Sequence, residues 1–168
     1  MIVIVEGADG SGKSTLVKHL KELGYPTFSI TEKSKPTEYI KWIDTCVENY
    51  DKIAICDRAS FISDLVYRIV DGKNRRGMNL SQMSQVMRHE VIIIYCKTDT
   101  AFHDAITRGE DNITNKALHQ KICDTYDMIM EMFKIFSDSM VYEYNWKTQD
   151  FSNIINFIKK GGRKYAIR

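Results

Sequence analysis

The sequence EGADGSGKST occupies residues 6–15 and decides the fold. Four of its residues match the spacing G-x-x-x-x-G-K-[ST] without a gap, namely Gly7, Gly12, Lys13 and Ser14. An apolar, β-branched run at residues 1–5 precedes the motif, and apolar residues at helical spacing follow it over residues 14–23. The stretch therefore predicts a buried strand, a glycine-rich turn and a helix in succession.

This glycine-rich turn is typical of phosphate-binding loops for physical reasons. Glycines let the backbone curl with its N–H groups pointing inward, and the following helix adds the positive end of its dipole. The Lys13 ammonium can reach the β- and γ-phosphates of a nucleoside triphosphate, and the Ser14 hydroxyl can ligate Mg²⁺. The residues expected to hold the nucleotide are Gly7, Asp9, Gly10, Ser11, Gly12, Lys13, Ser14 and Thr15. The alternative, a chance glycine-rich turn, is disfavoured by the flanking strand and helix.

Length and composition indicate one soluble domain spanning residues 1–168. Hydrophobic residues make up 43% of the chain and charged residues 27%, which suits a globular core. The net charge of +2 is too small to indicate a nucleic-acid-binding protein by itself. No apolar run approaches the ~18 residues that span a bilayer, so we expect a cytoplasmic protein without a membrane partner.

The four cysteines are widely separated and form no C-x-x-C pair. Cys56 and Cys96 lie at the ends of apolar runs, which favours buried free thiols over a disulfide or a zinc site. Such thiols suit a reducing cytoplasm.

Strands and helices are predicted to alternate from end to end. Strands are expected at residues 1–5, 27–30, 52–56, 91–95 and 140–144. Helices are expected at residues 14–23, 37–50, 59–70, 80–88, 98–106, 115–136 and 151–160. In the helix at 59–70, the residues expected to face the core are Phe61, Leu65, Val66 and Ile69. The alternation predicts an α/β protein with a five-stranded parallel sheet covered by helices on both faces.

Charged residues follow several predicted strands, where open parallel sheets bind their ligands. Glu32 follows the second strand, Asp57 and Arg58 follow the third, and Asp99 follows the fourth. Phosphoryl transfer needs cations around the phosphates and a carboxylate that orients or deprotonates the acceptor. The catalytic candidates are therefore Glu32, Asp57 and Arg58 together with Lys13 and Arg108, and Asp57 is also a metal-ligand candidate. The alternatives are a structural ion pair for Asp57 and Arg58, and an ordinary loop glutamate for Glu32.

Two polar loops and the C-terminal residues carry further basic side chains. Arg108 begins a charged segment near residues 108–115 that is either a mobile lid over the phosphates or a solvated turn between helices. A basic cluster could hold an acceptor phosphate or form an exposed loop; its members are Lys73, Arg75 and Arg76. The basic tail at 159–168 is either solvated or in contact with a polyanion.

Three aromatic residues could stack on the base of an acceptor, namely Tyr39, Trp42 and Phe61. Phe61 is favoured because it closely follows Arg58. Aromatic residues at helical spacing are otherwise mostly core residues.

Several of these motifs resemble those of thymidylate kinases and their phage-borne relatives. Residues 6–15 are similar to the phosphate loop of that family, which also carries an acidic residue inside the loop. Asp57-Arg58 resembles its D-R motif, and Ser63 to Tyr67 resembles the S-x-x-x-Y continuation. Thr31, Glu32 and Pro36 form a longer version of its R-E-P element that lacks the arginine. Residues 108–111 resemble the lid segment, and Tyr126 falls where these proteins often carry a tyrosine.

The resemblance implies strand order 2-3-1-4-5 and ATP–Mg²⁺-dependent phosphorylation of a deoxynucleoside or a deoxynucleoside monophosphate. By this resemblance, Lys13 and Arg58 stabilise the transferred group, and Asp9 holds the sugar or phosphate of the acceptor. Glu32 or Asp57 is then the carboxylate on the acceptor or metal side. It also suggests a compact phage-type member with a changed acceptor, and a homodimer.

Two other functions remain open from the sequence. A kinase of the same fold could phosphorylate a hydroxyl on DNA, either on a hydroxymethylated base or at an end, and the basic loop and tail motivate this alternative. A nucleotide-binding regulator that hydrolyses slowly is the other alternative. Against it, no water-positioning glutamine follows the third strand, and Asp57-Arg58 suits acceptor binding better.

Overall fold

A computed structural model describes residues 1–31, 34–48, 53–72, 78–109, 115–136 and 141–160. Its strands are β1 (Ile2–Glu6), β2 (Thr27–Ser29), β3 (Ala54–Asp57), β4 (Val91–Cys96) and β5 (Val141–Tyr144). They form one sheet in the order β2-β3-β1-β4-β5, and every neighbouring pair is parallel. The predicted fold class and strand order are confirmed.

Seven helices connect and cover these strands within the described residues. They are α1 (Lys13–Glu22), α2 (Pro36–Glu48), α3 (Ser60–Asp71), α4 (Leu80–Met87), α5 (Ala101–Thr107), α6 (Lys116–Phe136) and α7 (Phe151–Lys159). Buried side chains of α1 and α7 pack on one face of the sheet, and those of α2, α3, α4 and α6 pack on the other. Among the residues that the structure describes, no helix is both long and apolar enough to cross a membrane.

The central strand β1 positions the glycine-rich loop. Its apolar residues, from Ile2 to Val5, are completely buried because helices cover both faces of the sheet. Its register pairs Val5 with Asp57 of β3 and with Ile94 of β4, so the three strands reach the same edge together. The loop after β1 therefore lies between the residues that follow β3 and β4.

Helix α3 is rotated relative to the sequence prediction. Val66 faces the core as predicted, but Leu65 and Ile69 are exposed and Phe61 is only half-buried. The residues that α3 buries are Ile62, Ser63, Val66 and Val70. This face combines an apolar stripe with Ser63, whose hydroxyl donates to the buried Glu6 carboxylate.

The long helix α6 buries only some of its apolar residues. Tyr126 and Ile129 are buried, whereas Leu118 and Met132 are exposed. His119 takes a buried position because its ring bonds to the glycine-rich loop. The cysteines are free thiols, and Cys56 and Cys96 are buried as predicted.

Candidate active site

Three glycines give the loop after β1 its shape. Gly7, Gly10 and Gly12 have φ angles of 143°, 83° and 93°, in the region that side-chain-bearing residues rarely adopt. A Cβ at Gly10 would lie 1.8 Å from the carbonyl oxygen of Ala101, at the start of α5. The loop therefore needs glycine both for its backbone turn and for its close approach to α5.

Lys13 is buried within this loop although it carries a charge. Its Nζ donates a 2.6 Å hydrogen bond to the carbonyl oxygen of Ala8 and lies 3.7 Å from the Asp9 carboxylate. Burial, together with repulsion from the Arg58 guanidinium, lowers the pKa of Lys13 to about 8. A phosphate oxygen at this position would stabilise the ammonium.

Arg58 enters the loop region through an unusual backbone conformation. Its φ of 72° is the only positive value among the described non-glycine residues. The Arg58 amide donates to the carbonyl oxygen of Val5 at 3.0 Å, which ties this turn to the end of β1. Its guanidinium donates to Asp9 Oδ1 at 2.5 Å and to the Tyr126 hydroxyl at 3.2 Å. Such strain persists only where the surroundings hold the residue in place.

Glu6 is a completely buried carboxylate at the end of β1. Its Oε1 accepts hydrogen bonds from the Ala59 amide at 2.6 Å and the Ser63 hydroxyl at 2.8 Å. Its Oε2 accepts a 3.1 Å hydrogen bond from the Tyr126 hydroxyl. Burial raises the pKa of Glu6, although the nearby Arg58 charge opposes that effect. These bonds connect β1 to the start of α3 and to α6.

Asp9 lies between the two cations of the loop region. Burial disfavours its charged form, but the Lys13 and Arg58 charges together outweigh burial and lower the pKa of Asp9. Its Oδ2 is 3.5 Å from the Tyr67 hydroxyl, and its carbonyl oxygen accepts a 2.9 Å hydrogen bond from His119 Nε2. The loop is thus bonded to α3 and α6 on this side.

A polar cavity of about 100 Å³ opens above the loop. It is lined by Asp9, Gly10, Gly12, Lys13, Ser14, Asp57, Arg58 and Arg108. Ser29 of β2 donates to Asp57 Oδ2 at 3.1 Å and holds that carboxylate at the rim. The structure therefore brings four of the five predicted catalytic residues, from three parts of the chain, to one cavity. Their catalytic roles stay predictions.

The other predicted site residues lie away from this cavity or outside the described residues. Gly7 and Ser11 are buried within the loop, and Thr15 is exposed on the first turn of α1. Tyr39 is only 1% exposed and its ring packs against Phe28, so stacking of Tyr39 on an acceptor base was a wrong expectation. Outside the described residues lie Glu32, Lys73, Arg75, Arg76, most of the lid segment and all but the first residues of the tail.

Two residues beside the loop were not identified from the sequence. His119 has no motif around it, and its contact with Asp9 spans 110 residues. Trp146 follows β5 and is 41% exposed, and a Cβ on Gly12 would lie 2.4 Å from its Cδ1. The rule that ligands bind beyond the carboxyl ends of parallel strands would have selected Trp146 had it been applied to β5.

Two solved structures share this fold over nearly the whole chain. The YorR protein of Bacillus subtilis, in complex with phosphorylated GDP, aligns with a TM-score of 0.62 and 19% identity, over 95% of this chain and 94% of that chain. Deoxyadenosine kinase from M. mycoides, with the products dCMP and a flexible dCDP, aligns with a TM-score of 0.61 and 17% identity, over 95% and 97%. At these identities the likeness shows the fold alone.

Sequence relatives cover a smaller part of the chain. A UPF0200 protein from Thermococcus gammatolerans is 32% identical over 75 residues, which are 45% of this chain and 40% of that protein. A UPF0200 protein from Thermococcus kodakarensis is 31% identical over 83 residues, which are 49% of this chain and 45% of that protein. The chain thus spans less than half the length of these relatives. No protein-family model matches the chain.

Proposed function

We propose that this protein is an ATP-dependent phosphotransferase that moves the γ-phosphoryl group to a deoxynucleoside or a deoxynucleoside monophosphate. The observation that carries the proposal is the cavity above the glycine-rich loop. Two cations, Lys13 and Arg58, face it together with the Asp57 carboxylate. Phosphate-binding proteins in general need the cations, whereas transfer to a hydroxyl acceptor also uses a carboxylate that orients the hydroxyl and takes its proton.

The roles of the side chains follow from their charges and positions. Lys13 and Arg58 neutralise charge that develops as the bond from the γ-phosphorus to the bridging oxygen breaks and the bond to the acceptor oxygen forms. Arg108, exposed at the end of α5, adds a third positive charge at the rim of the cavity. When the acceptor is a hydroxyl, Asp57 orients it and takes its proton. When the acceptor is a phosphate, there is no proton to remove and this role is not needed.

ATP and Mg²⁺ fit the groups that the cavity provides. Mg²⁺ prefers oxygen ligands and is usually held by one or two protein groups together with phosphates. The Ser14 hydroxyl and the Asp57 carboxylate line the same cavity and are groups of this kind. Ser14 would hold the metal, and Asp57 would join it when the acceptor is a phosphate, because the carboxylate then has no proton to take. Bound there, the metal would supply a divalent charge beside the transferred phosphoryl group.

The acceptor class is inferred from the β3 side of the cavity. This side offers a guanidinium, a carboxylate and a hydroxyl that can bond to a sugar or a phosphate, from Arg58, Asp9 and Tyr67. Phe61 is half-buried nearby in sequence, on the first turn of α3. The deoxyadenosine kinase that shares the fold has dCMP and dCDP bound, which supports a deoxynucleotide acceptor. A thymidylate-type acceptor belongs to this class.

The proposal is tested by incubating the protein with radiolabelled ATP, Mg²⁺ and separate acceptors. The acceptors are the four deoxynucleosides, their monophosphates, and DNA oligonucleotides with and without hydroxymethylated bases. We expect label on a deoxynucleoside or a monophosphate. Label on DNA alone would replace the proposed acceptor, and hydrolysis without any transfer would favour a nucleotide-binding regulator.

Substitution of Lys13 tests the site itself. We expect Lys13→Met to reduce transfer by at least about a thousandfold, because it removes a charge that stabilises the transferred phosphoryl group while keeping the buried volume. Lys18→Met is the matched control, since Lys18 lies on the same helix and pairs with Glu22 on the surface. Equal activity of the two variants would refute the assignment.

A further inference from the structure

We propose that Tyr126, fixed by Glu6, is a positioning residue that holds the Arg58 guanidinium toward the phosphate cavity. The inference rests on the proposed function, because it assigns Arg58 a role in transfer. It adds to that function a buried support from α6, which contacts Arg58 without lining the cavity.

Hydrogen-bond polarity supports this role for Tyr126. A tyrosine has one O–H proton, and here that proton is donated to Glu6 Oε2 at 3.1 Å. The Tyr126 oxygen is then left with lone pairs, and Arg58 Nη1 donates to it at 3.2 Å. Glu6 therefore fixes the tyrosine as an acceptor for the arginine.

The second support of Arg58 is exposed to competition from a ligand. Asp9 holds Nη2 of Arg58, but Asp9 belongs to the loop and lines the cavity into which phosphates would bind. A phosphate would compete with this carboxylate for the guanidinium. Tyr126 is completely buried and neutral, so it keeps its bond to Arg58 while the partners on the cavity side exchange.

Glu6 also holds the chain segment from which Arg58 projects. The same carboxylate accepts the amide of Ala59, the residue after Arg58, and the hydroxyl of Ser63 one turn into α3. Glu6 on β1 thus holds the backbone next to Arg58 directly, and it holds the Arg58 side chain through Tyr126. Since a misplacement of about 1 Å can cost roughly a hundredfold in rate, this support has a catalytic consequence.

The first test compares Tyr126→Phe with Tyr95→Phe. Both tyrosines are buried and their rings lie 6.2 Å apart, but the Tyr95 hydroxyl donates to Asp127 instead of contacting Arg58. We expect Tyr126→Phe to lower kcat at least about tenfold with little change in KM for ATP, because the guanidinium loses its fixed orientation. Tyr95→Phe should leave kcat unchanged. Equal effects of the two substitutions would overturn the proposal.

The second test is a double-mutant cycle with Arg58→Ala. If Tyr126 acts through Arg58, the loss caused by Tyr126→Phe should vanish in the Arg58→Ala background. A purely structural tyrosine would cause the same loss in both backgrounds, and that result would contradict the proposal.

An NMR measurement separates this inference from the proposed function. With ATP bound, which competes with Asp9 for the guanidinium, the Arg58 Nε–H signal should be sharp in the wild-type protein and averaged in Tyr126→Phe, whether or not any acceptor is phosphorylated. Failure of transfer in the wild type would refute the proposed function alone. An unchanged Arg58 signal in the variant would refute the positioning role alone.

Discussion

Lys13 is a buried ammonium whose charge depends on its neighbours. In the free protein, burial and the Arg58 charge bring its pKa from the usual 10.5 to about 8. Because the folded pKa is the lower one, the unfolded chain binds more protons above about pH 8, and this residue adds stability as the pH rises toward 10.5. Phosphate binding instead favours lower pH, because the phosphate binds the protonated, positively charged form of Lys13.

Nucleotide affinity should therefore weaken at alkaline pH. If only the charged form of Lys13 binds ATP, the Kd should rise about tenfold between roughly pH 7 and pH 9. Isothermal titration calorimetry with ATP in EDTA measures this dependence without a metal ion. Proton uptake on binding should be largest above about pH 8, because Lys13 is then mostly neutral and must be protonated to bind the phosphates. A Kd that stays constant over this range would show that Lys13 does not titrate.

Gly10 tests the close approach of the loop to α5. Gly10→Ala places a methyl group 1.8 Å from the Ala101 carbonyl oxygen, so we expect a loss of roughly 3 kcal/mol or more in the free energy of unfolding. Gly24→Ala is the matched control, because Gly24 has a similar φ of 87° but nothing within 4 Å of the added methyl. It should cost only about 1 kcal/mol. Urea denaturation measures both, and equal losses would contradict the contact.

At the level of elements, helix α3 has two apolar faces at helical spacing, and the structure buries the one on the side of Ser63, with Ile62, Val66 and Val70. Leu65 and Ile69 suit an inward face by spacing, but Ser63 turns inward to donate to the buried Glu6 carboxylate. A buried carboxylate needs such donors, because leaving it without them costs several kcal/mol. The buried face of α3 thus combines such a donor with the apolar residues that pack in the core.

The rotation of α3 can be tested by comparing alanine substitutions at two of its isoleucines. Ile62 is completely buried, so Ile62→Ala should lower the free energy of unfolding by about 2–5 kcal/mol. Ile69 is 44% exposed, and Ile69→Ala should cost about 1 kcal/mol or less. The two substitutions delete the same atoms from the same helix, so chemical denaturation compares burial alone. A larger loss at Ile69 would restore the sequence prediction.

Across the whole molecule, the strand order places different chemistry on the two sides of the loop. Asp57 and Arg58 come from β3 on one side of β1, and Trp146 and Arg108 follow β5 and β4 on the other. If the acceptor lies on the β3 side, the base of the donor nucleotide lies on the β4–β5 side. The half-exposed indole of Trp146, held against Gly12, then borders that base.

Tryptophan fluorescence tests this placement. Trp42→Phe leaves Trp146 as the sole tryptophan, since the chain has two. ATP should change the Trp146 emission more than tripolyphosphate does, because only ATP carries a base that can stack on the indole. Identical responses to both ligands would place the base elsewhere, and no response to either would move the phosphates away from Gly12.

Local features made much of the fold predictable. Glycine spacing, the apolar run of β1 and the alternation of strands with helices each depend on neighbouring residues, and they predicted the parallel sheet and its loop. The rule about strand ends likewise selected Asp57 and Arg58, which the structure brings to one cavity. Tyr39 was misassigned because an aromatic residue at helical spacing looks the same whether it packs in the core or faces a ligand.

The sequence alone therefore determined the strand, the glycine-rich loop, the helix and the class of sheet, since backbone conformation and burial periodicity are local properties. Tertiary structure decided which groups meet at the loop. Arg58 and Tyr126 are 68 residues apart, and Glu6 and Tyr126 are 120 apart. Their hydrogen bonds form only when β1, β3 and α6 are packed together, so local sequence patterns cannot predict them.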